Sequence, residues 1–212
     1  MQPSAQTVVF FDFDGTLIRK DSLVIYIGWR LRHSWRAIGV LPCVLWNVLL
    51  FKLNLRSDQK AKQSLLKLLT GKCTQQRWLH LSNLLAQKLV QYPHPITEQR
   101  LQYHLKQGHR IIIVTASPAD WIRAWVQLRQ LPIEVVGTEM ETVGDQLSFR
   151  FATPNCHGKE KVHRLHKFLP HWEQLTSYGY GDSAGDLYFL HHVTYAYYRN
   201  FSQPTSTLPI EE

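Results

Sequence analysis

Val8-Val9-Phe10-Phe11-Asp12-Phe13-Asp14-Gly15-Thr16 decides the fold. Four consecutive apolar residues that empty into an acidic, glycine-containing loop read as a strand buried on both faces, the pattern of a parallel sheet. A second run, Ile111-Ile112-Ile113-Val114, ends at Thr115. After it, Ser117-Pro118 predicts a helix N-cap followed by proline at the first helical position. Further strands are expected at 133–136, 147–151, 178–180 and 193–197, with helices at 159–169 and 184–190 between the later ones. Strands alternating with helices predict an α/β core with crossover connections.

Residues 17–110, between the first two strands, carry almost no strand signal. They far exceed the roughly dozen residues a crossover needs, so a helical domain inserted into the core is expected. The boundaries are set at 1–18 and 108–212 for the core and 19–107 for the insertion. Ser57 is placed as the cap of a helix running to Leu69 with Gly71 just past its end. Thr74 is placed as the cap of another with Trp78, Leu81, Leu85 and Leu89 on one face, and Thr97 as the opening of a third.

The 212 residues are 44% hydrophobic and 19% charged, a globular balance that excludes disorder as the default. A net charge of +8 favours anionic partners without choosing among phosphorylated metabolites, lipid surfaces and nucleic acid. Cys43, Cys73 and Cys156 are odd in number and lack CxxC spacing, which removes a disulfide framework and a cysteine zinc site and fits a cytosolic compartment. The polar start, 1–7, and an apolar run broken by Asp12 and Asp14 lack the form of a secretory leader.

Asp12 and Asp14, two apart at a strand end, can supply a nucleophile and an acid/base from adjoining backbone, with Gly15 permitting the sharp turn and Thr16 adding a hydroxyl. They read equally as an ordinary acidic loop or as a metal site of another enzyme class. Thr115 and Ser117 stand where hydroxyls, backbone amides and a helix dipole can hold anion oxygens, although Ser117 also fits a plain helix cap. Lys161 can place an ammonium beside an anion, with Lys159 as its rival and an ordinary surface lysine as the bland reading. Tyr180-Gly181-Asp182-Ser183-Ala184-Gly185-Asp186 puts two acids on a glycine-rich loop, a hard oxygen site suited to magnesium. Asp186 also fits the first turn of a helix, where negative charge is favourable.

Taken together and in this order, the hhhhDxDGT start, the strand-end Thr115, Lys161 and the GDxxxD loop resemble the haloacid-dehalogenase-like superfamily, from Val8 to about Tyr198. The resemblance implies a doubly wound, Rossmann-like parallel sheet with its site at the strand C-termini and a helical type-one cap. It implies a magnesium-dependent phosphatase in which Asp12 is the nucleophile and Asp14 the acid/base. Asp14 would bind the metal through its backbone carbonyl, Thr115 would bond the phosphoryl oxygens, and Lys161 would balance charge. Asp182 would hold magnesium directly, with Asp12, and Asp186 directly or through water. Ser-Pro after Thr115 and the GxxKV stretch are similar to the phosphoserine-phosphatase subgroup. By that likeness Thr16, Asp21, Ala116 and Ser117 are candidate substrate contacts. Thr115-Ala116-Ser117 replaces that subgroup's Ser-Gly-Gly, however, and no arginine of the insertion matches one for a serine carboxylate.

Residues 37–51 are apolar except Asn47, with Arg30, Arg32 and Arg36 before them and Lys52, Arg56, Lys60 and Lys62 after. A helix of that length, at about 1.5 Å per residue, falls short of a hydrocarbon core of about 30 Å. A buried helix of the insertion is expected ahead of an interfacial one. The basic flanks also fit peripheral contact with the inner face of an anionic membrane, and the start and length resemble bacterial phosphatidylglycerophosphate phosphatases of the superfamily. The substrate is therefore expected to be a phosphorylated small molecule or a lipid phosphate. Seven Trp, nine Tyr and nine Phe with positive charge raise nucleic-acid binding, but no recognised motif accompanies them and none is expected. The eleven histidines are expected to be surface or hydrogen-bonded groups rather than metal ligands.

Overall fold

A computed structural model describes residues 7–53 and 57–209. Residues 1–6 and Arg56, which figured in the sequence reading, lie outside the described residues. The opening run forms β1 (Val8–Phe11), and all four side chains are buried. Val9 and Phe11 enter one apolar cluster while Val8 and Phe10 enter a second, so a strand without polar alternation is one with a core on each face.

Among the described residues six helices follow: α1 (Ser22–His33), α2 (Trp35–Gly39), α3 (Leu41–Lys52), α4 (Asp58–Thr70), α5 (Gln75–Leu89) and α6 (Pro95–Lys106). Ser57 caps α4 by accepting from the Lys60 amide at 3.5 Å, and Thr74 caps α5 by accepting from the Arg77 amide at 3.2 Å. Gly71 ends α4 at φ +72°. Trp78, Leu81, Leu85 and Leu89 are all buried, as their spacing required, and α5 packs on a later helix of the sheet layer.

Two expectations fail in this region. Thr97 opens no helix: α6 begins two residues earlier, with Pro95 in its first turn, and the Thr97 hydroxyl donates to the Thr16 carbonyl at 2.5 Å, tying α6 to the loop after β1. Nor does the apolar stretch form a buried helix. It breaks into α2 and α3, and although Val44 and Asn47 are buried, Leu45, Trp46 and Leu49 are exposed. Apolar on every side, α3 packs one stripe against α4 and leaves the other in solvent. Pro42 is harmless there because it stands in the first turn.

The chain then forms β2 (Arg110–Pro118), α7 (Ala119–Leu128), β3 (Ile133–Thr138), the hairpin β4 (Met140–Val143) and β5 (Gln146–Phe151), α8 (Lys159–Phe168), β6 (Ser177–Gly181), α9 (Ala184–Leu190) and β7 (Tyr195–Tyr198). The main sheet is parallel throughout, ordered β3-β2-β1-β6-β7. Phe11 registers with Ile113 on one side and Tyr180 on the other. The expected strand at 147–151 lies outside this sheet, in the antiparallel hairpin with β4, which the sequence reading missed. Because β1 is central, with β2 and β3 laid down on one side of it and β6 and β7 afterwards on the other, the crevice beyond its C-terminus is the switch point where ligands of such sheets bind.

Candidate active site

Asp12 stands one residue past β1, its amide donating to the Tyr180 carbonyl at 2.9 Å, and it is buried. Lys161, in the first turn of α8, is 2% exposed and donates through Nζ to Asp12 Oδ1 at 2.5 Å and to Asp186 Oδ1 at 2.6 Å. Its rival Lys159 is exposed, its Nζ 5.8 Å from the Tyr188 ring centre. Burial opposes the charge on Lys161, but the two carboxylates outweigh it and hold the ammonium above its ordinary value. Burial, then the Asp186 charge, pushes the Asp12 carboxyl up against the pull of Lys161. Asp186 feels the same burial, yet Lys161 and Ser183 overcome it and hold that group down.

Asp182 follows β6 directly, and Asp186 lies in the first turn of α9, where Ser183 N and Oγ donate to its Oδ2 at 3.0 and 2.7 Å. Carboxylate oxygens of Asp12, Asp182 and Asp186 lie within 4.8 Å of one another. Three acids thus share one ammonium in a poorly solvated crevice, and burial, then the Asp186 charge, raises Asp182 as well. Thr16 donates weakly to Asp182 Oδ1 at 3.4 Å. Gly15 is required by the approach of that loop: at φ +76°, a Cβ here would stand 2.2 Å from Asp182 Oδ2.

The donor set is oxygen-only and short of positive charge, which fits a hard divalent cation such as magnesium. Asp12 and Asp182 retain free oxygens for it, whereas both oxygens of Asp186 already accept hydrogen bonds.

The Asp14 carboxylate is not one of the three that converge. It turns toward α1, accepting from Ser22 N at 2.7 Å, Ser22 Oγ at 3.1 Å and Ser117 Oγ at 2.5 Å. Burial, reinforced by the Asp21 charge and opposed by these bonds, lifts its pKa to about 6. Asp21 caps α1, taking the Val24 amide at 3.0 Å, and reaches the mouth of the cavity.

Register breaks in β2 between Val114 and Pro118, and the irregular stretch turns Thr115, Ala116 and Ser117 into the cavity. Thr115 Oγ1 accepts from Ser117 N at 3.0 Å, which leaves the hydroxyl proton free to be given elsewhere. Ser117 is not the helix cap expected of it. Here α7 starts at Ala119 with Pro118 at the N-cap and no side-chain cap bond, because the Ser117 hydroxyl is spent on Asp14.

Asp12, Asp14, Asp21, Thr115, Ala116, Ser117, Lys161 and Asp182 all line one cavity of about 410 Å³, while Thr16 and Asp186 support it from behind. Its outer wall adds Leu23 of α1, Lys62 and Leu66 of α4, Phe151 of β5, and His157. Two supporting residues escaped the sequence reading. Ser22 holds both oxygens of Asp14, and Arg199 donates from Nε to the Asp182 carbonyl at 3.0 Å. Neither sits in a motif, and both meet the site only through the fold.

The haloacid dehalogenase-like hydrolase family matches residues 9–191. Protein CicA of Caulobacter vibrioides is 32% identical over 186 residues, covering 84% of this chain and 79% of the relative. Among solved structures, a protein of unknown function from Bordetella pertussis Tohama I superposes with TM-score 0.76 at 17% identity, over 91% of this chain and 89% of the other. A phosphoserine phosphatase solved as a phospho-aspartyl intermediate analogue superposes with TM-score 0.57 at 13% identity, over 91% and 86%. At such identities the superpositions establish a shared fold.

Proposed function

The chain belongs to the haloacid dehalogenase-like hydrolases, and on that premise we propose that it hydrolyses a phosphate monoester through an aspartyl-phosphate on Asp12. The carrying observation is Asp12 itself: it is buried at the switch point, with Lys161 fixed on one oxygen and the other left facing a cavity shared with Asp14.

In this reading the free oxygen of Asp12 attacks phosphorus as the bond to the ester oxygen breaks, and Asp14 gives its proton to the departing alkoxide. Asp14 then takes a proton from water, whose oxygen attacks the phosphoryl group. The Asp12–phosphorus bond breaks and inorganic phosphate leaves. Thr115 donates its free hydroxyl proton to a phosphoryl oxygen, and Lys161 favours the ionised form of Asp12 against its burial and aligns it. Magnesium would be held by Asp12, Asp182 and the Asp14 backbone carbonyl, with Asp186 beyond a water. When bound it offsets the repulsion between carboxylate and phosphate.

Residues 19–107 are the cap in the same proposal, and Asp21, Ala116 and Ser117 the substrate contacts. The ester is a phosphorylated small molecule of the cytosol or, as a second reading, a lipid phosphate met at the inner face of the membrane. The lipid reading is favoured by the apolar part of the outer wall, Leu23, Leu66 and Phe151, which stands beside Lys62 and His157.

Phosphate release from p-nitrophenyl phosphate, phosphoserine, sugar phosphates, nucleotides and phosphatidylglycerophosphate tests this. Activity is expected with magnesium, to vanish with EDTA, and to fall by about four orders of magnitude or more in Asp12→Asn. Magnesium should raise the Tm of the native protein and not of Asp182→Asn. No magnesium-dependent release from any of these esters would refute the proposal.

A further inference from the structure

Positive charge is concentrated in one part of the sequence. Residues 22–97 hold eleven Lys and Arg against a single acid, Asp58, so this segment carries a net +10 while the rest of the chain is slightly acidic. Arg32, Lys60, Lys67 and Lys72 are exposed, whereas Arg30 is buried and donates to the Leu69 carbonyl at 3.2 and 3.1 Å. The same segment carries an exposed apolar ridge on α2, α3 and the turn after them: Trp35 is 90% exposed, Leu45 61%, Trp46 59% and Leu53 57%, with Ile38 and Leu49 beside them. Behind Trp46, between α3, α4 and β5, runs a groove of about 1250 Å³ with Leu68 and Phe149 in its wall and Lys67 and Lys72 also lining it.

We infer that this face is a docking surface for an anionic lipid bilayer, on which α2 and α3 lie in the interface with their Trp and Leu side chains among the headgroups and upper acyl chains. Six large apolar side chains exposed within nineteen residues of chain mark an interaction site. Tryptophan favours the level where one end of the ring is apolar and the other wet. Neighbouring lysines and arginines each gain attraction to an anionic leaflet, which supplies the charge complementarity. Nucleic acid fits less well: Trp35 and Trp46 offer faces for stacking, but the other exposed apolar residues, Ile38, Leu45, Leu49 and Leu53, are aliphatic and offer bases none. Among the described residues no helix is long and apolar enough to cross a membrane, so the contact is one of lying on the surface. The inference extends the lipid-phosphate reading but is measured without turnover, so either can fail alone.

Co-sedimentation of the full chain with vesicles of phosphatidylcholine, alone or mixed with phosphatidylglycerol, provides the test. Binding to the mixed vesicles is expected to be at least roughly tenfold stronger and to weaken as salt is raised. Trp35→Ser with Trp46→Ser, and separately Lys67→Glu with Lys72→Glu, should each weaken it roughly tenfold, with Tm and p-nitrophenyl phosphate turnover unchanged. The proposal is overturned by absent binding, by equal binding to neutral vesicles at low salt, or by sedimentation showing that the tryptophan pair instead mediates a dimer that ignores vesicles. It is overturned equally if the lysine pair weakens a nucleic-acid mobility shift while vesicles are not bound.

Discussion

The Asp14 carboxylate is held by two serine hydroxyls and the first amide of a helix, an arrangement that turns it away from the three converging acids and fits the proton transfer proposed for it. If it protonates the leaving oxygen, Asp14→Asn should slow alkyl phosphates by about 10² to 10⁴ while p-nitrophenyl phosphate, whose phenolate leaves unaided, loses far less. Equal losses on both esters would remove it from proton transfer. Lys161 lends itself to a sharper test, because its ammonium is buried between two carboxylates. Lys161→Met should cost about 3–5 kcal/mol at pH 8. Without the ammonium, burial raises the folded-state pKa of Asp12 and Asp186 above the unfolded value. The variant's stability is then greatest at low pH and is lost as pH rises through those raised values. Thermal melts from pH 8 down to pH 5 should therefore show the variant gaining Tm relative to wild type. A parallel pair of curves would mean that the carboxylates are ionised without Lys161.

At the scale of elements, the decisive device is the irregular end of β2, which spends the Ser117 hydroxyl on Asp14 instead of on α7. Ser117→Ala should accordingly cost only about 0.5–1.5 kcal/mol, leave helix content unchanged by circular dichroism, and weaken turnover of alkyl esters. A fall in helicity with intact turnover would restore the capping role. Position 117 shows where sequence reading ends. Ser57 and Thr74 were legible as caps because capping is a local bond across three residues. Ser117 has the same local signature, but a carboxylate 103 residues away competes for its hydroxyl. The strands β1 and β2 declared themselves through apolar runs and β3, β6 and β7 through β-favouring residues, and β4 did not, because Met-Glu-Thr-Val is half exposed and pairs only with its hairpin partner. Asp12, Lys161 and Asp182 could be picked out because each adjoins a recognisable strand or helix end. Ser22 and Arg199 act on the site through loops whose proximity no spacing encodes.

Across the whole molecule the sheet and the helical insertion share one apolar cluster, and a buried histidine ties them together beside the site. His104 of α6 places Nε2 2.9 Å from the Tyr180 hydroxyl and Nδ1 2.8 Å from His109 Nδ1. Tyr180 in turn stacks on Phe11 at 4.4 Å and takes the Asp12 amide on its carbonyl. Burial, then the charges of His109 and Arg100, lowers the pKa of His104 from 6.5 to about 4. The folded state therefore resists a proton that the unfolded chain accepts, so stability from this group is complete above about pH 6.5 and is lost progressively down to about pH 4. Tm should fall across that window, and in His104→Gln, which keeps a hydrogen-bonding side chain but cannot titrate, the fall should be shallower. Because the carboxylates of the site are unchanged between the two proteins, the difference between their pH curves isolates the histidine. Coincident slopes would show that protonation of His104 is not what loosens α6 from β6, whose Tyr180 carbonyl takes the Asp12 amide.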